Sequence, residues 1–121
     1  MNRKFVNIGA CQCEYADPAC MLIGLDFTGM LLEGDSDNIE VLNRNYGDKK
    51  DFTIISALVD PENVIGYLQT DKSIRQDFDF LKIDIDGIDG PILQPLPFYA
   101  LLGMFHFRWN FIMLCTSSSS I

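Results

Sequence analysis

Short apolar runs alternate with polar and amphipathic stretches along most of this chain, from residue 4 to about residue 85. Four of these runs have strand length and are rich in β-branched or aromatic residues. They predict strands at residues 4–10, 27–33, 52–58 and 78–85. Helical signals follow each of the first three runs. Strand and helix in regular alternation, with short connections, predict parallel βαβ units with right-handed crossovers.

Three helices are predicted between these strands. Asp17 and Pro18 have the N-cap and first-turn chemistry of a helix start, and Asp60 and Pro61 repeat it. The apolar side chains on these two helices are Met21, Leu22 and Leu25 in the first and Val64, Ile65 and Leu68 in the third.

The second helix has the clearest signals. Asp37 and Glu40 have the spacing of a capping box, with Asp37 as the N-cap, and Gly47 is a natural C-terminal stop. The apolar face between them consists of Ile39, Leu42 and Tyr46.

The last quarter of the chain departs from this alternation. Prolines at positions 91, 95 and 97 argue against a long helix, and aromatic residues alternate with polar ones over 105–111, which predicts a half-buried fifth strand. The apolar stretch 98–115 has the length of a membrane span, but Arg108 near its centre makes insertion costly. We therefore divide the chain into a core, residues 1–97, and an apolar C-terminal segment, residues 98–121, with a Ser-rich end.

The length and net charge of the chain narrow the range of possible functions and partners. At 121 residues the chain is one domain, and 17 acidic against nine basic residues give a net charge of −8. That balance argues against nucleic acid and anionic membranes as partners, because both require a basic face. The N-terminal apolar run is too short for a signal peptide, so we expect a cytoplasmic protein.

The four cysteines, at positions 11, 13, 20 and 115, give a weak case for a metal site. Cys11 and Cys13 form one C-x-C pair without a second close pair, and His106 is the single histidine. We expect reduced structural thiols and no metal.

Acidic residues gather where the fourth predicted strand ends. Asp84, Asp86 and Asp89 enter a turn made by Gly87 and Gly90. Open α/β sheets bind ligands at the carboxyl ends of their strands, so this turn is a candidate site. Asp84 and Asp86 also form a D-x-D pair of the kind that holds a divalent cation in nucleotide-sugar glycosyltransferases. The cluster does not match a calcium loop, which needs a distal Glu.

Five motifs occur along the chain in a characteristic order. They are Val-Asn-Ile-Gly-Ala at 6–10, Gly-Met-Leu-Leu-Glu-Gly-Asp at 29–35, Leu-Asn-Arg-Asn-Tyr at 42–46, Ser-Ala-Leu-Val at 56–59 and Leu-Lys-Ile-Asp-Ile-Asp-Gly at 81–87. Together they resemble class I S-adenosylmethionine-dependent methyltransferases, most closely the FkbM type. The resemblance implies a Rossmann-like three-layer α/β/α sandwich with a mostly parallel sheet, here incomplete at its C-terminal end. It also implies O-methyl transfer to a small-molecule or sugar-like acceptor.

The same resemblance implies where S-adenosylmethionine binds. Glu33 would accept the ribose hydroxyls, Asp84 would face the ammonium of the methionine part, and Gly9 would let the backbone approach the ligand. The implied cofactor-binding residues are Gly9, Ala10, Glu33, Asp35, Ala57, Leu58 and Asp84, with Ala57 and Leu58 beside the adenine ring.

Several structural alternatives stay open at these positions. The alternative for Glu33 is an acid exposed at a strand end, and Ala57 and Leu58 are equally core residues. Lys82 and Asp86 are as well explained by an ion pair with each other as by a ligand.

The chain also departs from the family. Residues 11–15, Cys-Gln-Cys-Glu-Tyr, stand where a second glycine is usual, and Glu14 should repel the carboxylate of the cofactor. Strands after the fourth are reduced to one candidate. A hydroxyl acceptor needs a general base, for which Asp86 is the catalytic candidate and His106 the alternative.

Three functions therefore remain: an active methyltransferase, a non-catalytic cofactor-binding domain of the same fold, and a D-x-D glycosyltransferase. We also expect a homodimer through the C-terminal aromatic segment, because an exposed aromatic strand edge promotes self-association.

Overall fold

Five parallel strands form one sheet in the computed structural model, which describes residues 2–10, 18–60, 62–71, 74, 77–84 and 102–115. The strands are β1 (Lys4–Ile8), β2 (Thr28–Glu33), β3 (Thr53–Ser56), β4 (Asp77–Asp84) and β5 (Arg108–Cys115). The described helices are α1 (Pro18–Met21), continued by a 3₁₀ turn (Leu22–Leu25), α2 (Ser36–Tyr46) and α3 (Val64–Gln69). The α/β class predicted from the sequence is confirmed.

The strand order across the sheet is β3-β2-β1-β4-β5. All neighbours are parallel, as the predicted βαβ units require. The chain builds outward from β1 to β3 and then returns to place β4 on the other side of β1. Open α/β sheets bind their ligands in the crevice at such a reversal of strand order, which here lies between the carboxyl ends of β1 and β4.

Helices cover both faces of the sheet. On one face, Phe5 and Leu31 pack with Leu42 of α2 and Cys20 of α1. On the other, alternate strand residues pack with α3, and this second core includes Val6, Ile8, Met30, Leu32, Val64, Leu68, Leu81 and Ile83. Each strand residue points to the face opposite its neighbour, so one apolar run supplies both cores.

The fifth strand forms, but it differs from the prediction. It begins at Arg108 rather than at residue 105, because His106 adopts a positive φ of 66° and its N–H donates to the Gly103 carbonyl in a turn. Phe107 is buried, whereas Phe111 is 60% exposed. Less aromatic surface is therefore buried than the alternation predicts, because β5 is the outermost strand of the sheet.

Two helix starts also differ from prediction. The N-cap of α2 is Asp35 rather than Asp37, since the Asp35 side chain accepts from the backbone N–H groups of Asp37 (2.8 Å) and Asn38 (3.4 Å). The carboxylate of Asp60 instead closes a turn before α3, accepting from the N–H groups of Glu62 and Asn63. Helix α3 then begins at Val64.

The region after β1 brings two further corrections. Helix α1 is a single α-helical turn, and Met21 and Leu25 are 59% and 63% exposed. Cys20 is disulfide-bonded, so the expectation of reduced thiols is wrong for this residue. The predicted N-cap Asp17 lies outside the described residues.

The described residues include no helix of the length and apolar character that a membrane crossing requires. The structure describes residues 102–115 of the stretch considered as a span, and the strand β5, Arg108–Cys115, makes up most of that part.

Candidate functional site

Backbone hydrogen bonds join the carboxyl ends of β1, β2 and β3. The N–H groups of Gly9 and Ala10 donate to the Leu32 carbonyl at 2.9 and 3.0 Å, and the N–H of Ala57 donates to the Glu33 carbonyl at 2.9 Å. Four candidate residues, Gly9, Ala10, Glu33 and Ala57, therefore lie together at the carboxyl ends of these strands.

Gly9 forms the turn that ends β1. Its φ of 81° lies in the left-handed region, which strains side chains other than glycine. Its carbonyl oxygen accepts a hydrogen bond from the Nζ of Lys82 at 3.4 Å, and Lys82 is 3% exposed. Lys82 is therefore tied to the first loop. Asp86, the other partner considered for Lys82, lies outside the described residues.

Ala10 is fully buried and packs in the core on the α2 side. Its side chain contributes to that core, so a ligand at this edge would meet the backbone of Ala10 rather than its methyl group.

Glu33, the last residue of β2, is 8% exposed. Its Oε2 accepts two hydrogen bonds, from the backbone N–H of Asp35 and from the Nδ2 of Asn38, both at 3.1 Å. The alternative of an exposed acid at a strand end is therefore wrong. The carboxylate is buried and oriented by the start of α2.

Asp35 and Asn38 make different contacts at the start of α2. Asp35 is exposed and caps the helix through its own carboxylate. Asn38, the third residue of α2, reaches back to Glu33, and the sequence reasoning missed it. A signal was present, because the third helical position is where capping-box side chains turn back toward the N-terminus.

Leu58 is a large apolar side chain that is 80% exposed just beyond β3. Its position is fixed, because its carbonyl accepts from the Nδ2 of Asn63 at 3.0 Å and its side chain lies over Gly34. Ala57 beside it is half-buried. The alternative of a core residue is wrong for Leu58, which instead offers an apolar surface next to Glu33.

Asp84 is the last residue of β4, one position after Ile83, which pairs with Ile8. Its backbone therefore reaches the same edge as Gly9. The catalytic candidate Asp86, together with Asp89 and Glu14, lies outside the described residues.

His106 lies near the amino ends of the strands, at the end of the sheet opposite the candidate site. Arg108 opens β5 and pairs with Asp77, the first residue of β4. The eight residues of β4 span about 23 Å, so His106 lies about that far from the carboxyl ends of the strands. The alternative of His106 as the general base at this site is wrong.

Comparison with known proteins finds no matching family model, no matching curated protein and no matching solved structure. The functional argument therefore depends on the geometry of the strand ends.

Proposed function

We propose that this chain binds S-adenosylmethionine and is a methyltransferase domain of class I, most similar to the FkbM type. The observation that carries the proposal is the buried, oriented carboxylate of Glu33 at the end of β2. In dinucleotide-binding sheets of the same strand order, an acid after a strand binds the ribose hydroxyls.

The neighbours of Glu33 fit the rest of such a ligand. Leu58 offers an exposed apolar surface for a flat adenine ring, and the Gly9 turn lets the backbone approach the ligand closely. Asp84 ends the strand on the far side of the crevice, where we propose that it faces the ammonium of the methionine part.

S-adenosylmethionine supplies an electrophilic methyl group, so the work of the protein is to bind and orient donor and acceptor. In this proposal Glu33 and Leu58 hold the adenosine part, and Asp86 takes the proton of a hydroxyl acceptor. The acidic chain suits a ligand with a sulfonium charge.

Isothermal titration calorimetry with S-adenosylmethionine tests the proposal. We expect saturable binding by the wild type and a loss of about tenfold or more in affinity for Glu33→Gln, which removes the charge that accepts the hydroxyl protons. Glu40→Gln is the matched control, because Glu40 is an exposed glutamate on α2, the helix that follows β2. It should bind like the wild type.

Three outcomes separate the remaining functions. Transfer of a radiolabelled methyl group to a hydroxyl compound supports the enzyme, and binding without transfer supports the non-catalytic domain. Absence of binding at millimolar cofactor, together with stabilisation by Mn²⁺, would overturn the proposal in favour of the D-x-D glycosyltransferase.

A further inference from the structure

We infer that Asn38 is a positioning residue that orients the Glu33 carboxylate and thereby makes the site selective for ribose over deoxyribose. This inference rests on the proposed function, since it needs a nucleoside at Glu33. It adds a residue and a specificity that the motifs in the sequence do not indicate.

The contacts of Asn38 fix both its backbone and its side chain. Its backbone N–H is capped by the Asp35 carboxylate at 3.4 Å, and its Nδ2 donates to the Glu33 Oε2 at 3.1 Å. The N–H of Asp35 donates to the same oxygen at 3.1 Å. Two donors from the start of one helix therefore hold a single carboxylate oxygen.

The chemistry of the two groups decides how the Asn38 amide is oriented. Glu33 is an acceptor when ionised, so the NH₂ group of Asn38 faces it and the amide oxygen points away. A hydrogen bond to an ionised group is about twice as strong as a neutral one, and burial of Glu33 to 8% exposure protects it from screening. The partial positive charge at the N-terminus of α2 acts in the same direction.

Orientation of the carboxylate matters for a diol. The two donors on Oε2 fix the plane of the carboxylate, and that plane sets the direction from which the hydroxyls of a diol would donate. Because Asn38 fixes the carboxylate on folding, a ligand does not have to order it on binding. A site built to accept two hydroxyl protons discriminates strongly against an analogue that lacks one.

The test compares S-adenosylhomocysteine with its 2′-deoxy analogue by calorimetry. We expect the wild type to prefer the ribose form by at least about tenfold, and Asn38→Ala to reduce this preference to about threefold or less. Asn43→Ala is the matched control. Asn43 is exposed on the same helix and donates to the Ile39 carbonyl, away from Glu33. It should keep the wild-type preference.

Asn38→Asp is a second variant of nearly the same shape. It places a carboxylate against Glu33, and we expect it to lose the preference at neutral pH even if Asn38→Ala folds poorly. A merely structural role would weaken the binding of both ligands equally, and that outcome would overturn the inference. Unchanged preference in both variants would also overturn it. Absence of binding of S-adenosylhomocysteine by the wild type is distinguishable, because it overturns the proposed function and this inference with it.

Discussion

Lys82 of β4 is hydrogen-bonded to Gly9 at the end of β1, and these are the two strands at which the strand order reverses. The Nζ of Lys82, in β4, donates to the carbonyl oxygen of Gly9 at the end of β1 over 3.4 Å. Asn7, fully buried, lies beside Lys82 in the strand register. A buried ammonium is costly unless it is paired or hydrogen-bonded. Here the Lys82 ammonium is hydrogen-bonded to the Gly9 carbonyl, in the positive-φ turn that a ligand at the carboxyl ends of the strands would approach.

Replacing Lys82 with methionine should affect both stability and binding. Methionine keeps the apolar volume but leaves the partners of the buried ammonium unsatisfied, so we expect the free energy of unfolding to fall by about 1–3 kcal/mol. Affinity for S-adenosylmethionine should fall about tenfold, because the Gly9 turn loses its hydrogen bond to β4. Urea denaturation and calorimetry measure the two quantities. Lys50→Met, at an exposed position after α2, should change neither, and undiminished affinity in Lys82→Met would contradict the prediction.

Leu58 should matter for binding and hardly at all for folding. Because its side chain is 80% exposed, Leu58→Ser should leave the melting temperature nearly unchanged. If adenine covers this side chain, the change should weaken binding of S-adenosylmethionine about tenfold, as expected for the loss of one apolar contact. Leu25→Ser is the control, because Leu25 is 63% exposed away from the strand ends and should bind like the wild type. Equal affinities of the two variants would remove Leu58 from the site.

Gly29 should be irreplaceable in the sheet. A methyl group on Gly29 would collide with the carbonyl oxygen of Phe5 and lie 2.8 Å from its carbonyl carbon, which is backbone of β1 and cannot move aside. We expect Gly29→Ala to destabilise the fold by at least about 3 kcal/mol, measured by urea denaturation.

Gly66→Ala is the matched control for Gly29. Gly66 lies in α3 with no atom within 4 Å of an added methyl group, so alanine there should stabilise the fold by about 0.5–1 kcal/mol. Similar unfolding free energies for the two variants would contradict the strand register described above.

The sequence predicts the sheet better than it predicts the helix ends. The first four strands form where their apolar runs lie, because a strand buried on both faces needs a continuous run and little else. The capping-box spacing to Glu40 predicts Asp37 as the N-cap of α2, but Asp35 caps the helix two residues earlier. Both are aspartates with helical residues after them, and the hydrogen bond from the Asp35 N–H to the buried carboxylate of Glu33 favours the earlier one.

Site prediction failed where it needed distances between strands. His106 is a candidate base from its residue type alone. The direction of β5, which puts His106 near the amino ends of the strands, is not visible in an alternating pattern. Asn38 is missed because it occupies the third helical position, where capping-box side chains turn back, only when Asp35 rather than Asp37 is the N-cap. Gly9, Glu33 and Ala57 were found together because parallel strands bring their carboxyl ends to one edge.

The outer edge of β5 should mediate self-association. Residues 109–115 have no charge, proline or glycine, which is the composition that pairs readily with a second strand. Phe111 and Ile112 are 60% and 42% exposed on a strand at the end of the sheet. We expect two copies to join through antiparallel β5 strands related by a two-fold axis, as a sedimentation velocity series over protein concentration would show.

A charge on β5 should prevent this pairing. We expect Ile112→Lys to sediment as a monomer at concentrations at which the wild type is a dimer, because an edge lysine would have to be desolvated between the two strands. Ser56→Lys provides the control, since Ser56 is exposed on β3 at the opposite edge of the same sheet and should leave the dimer intact. A wild type that is monomeric throughout the series, or a dimer that Ser56→Lys disrupts and Ile112→Lys does not, would rule out β5 as the interface.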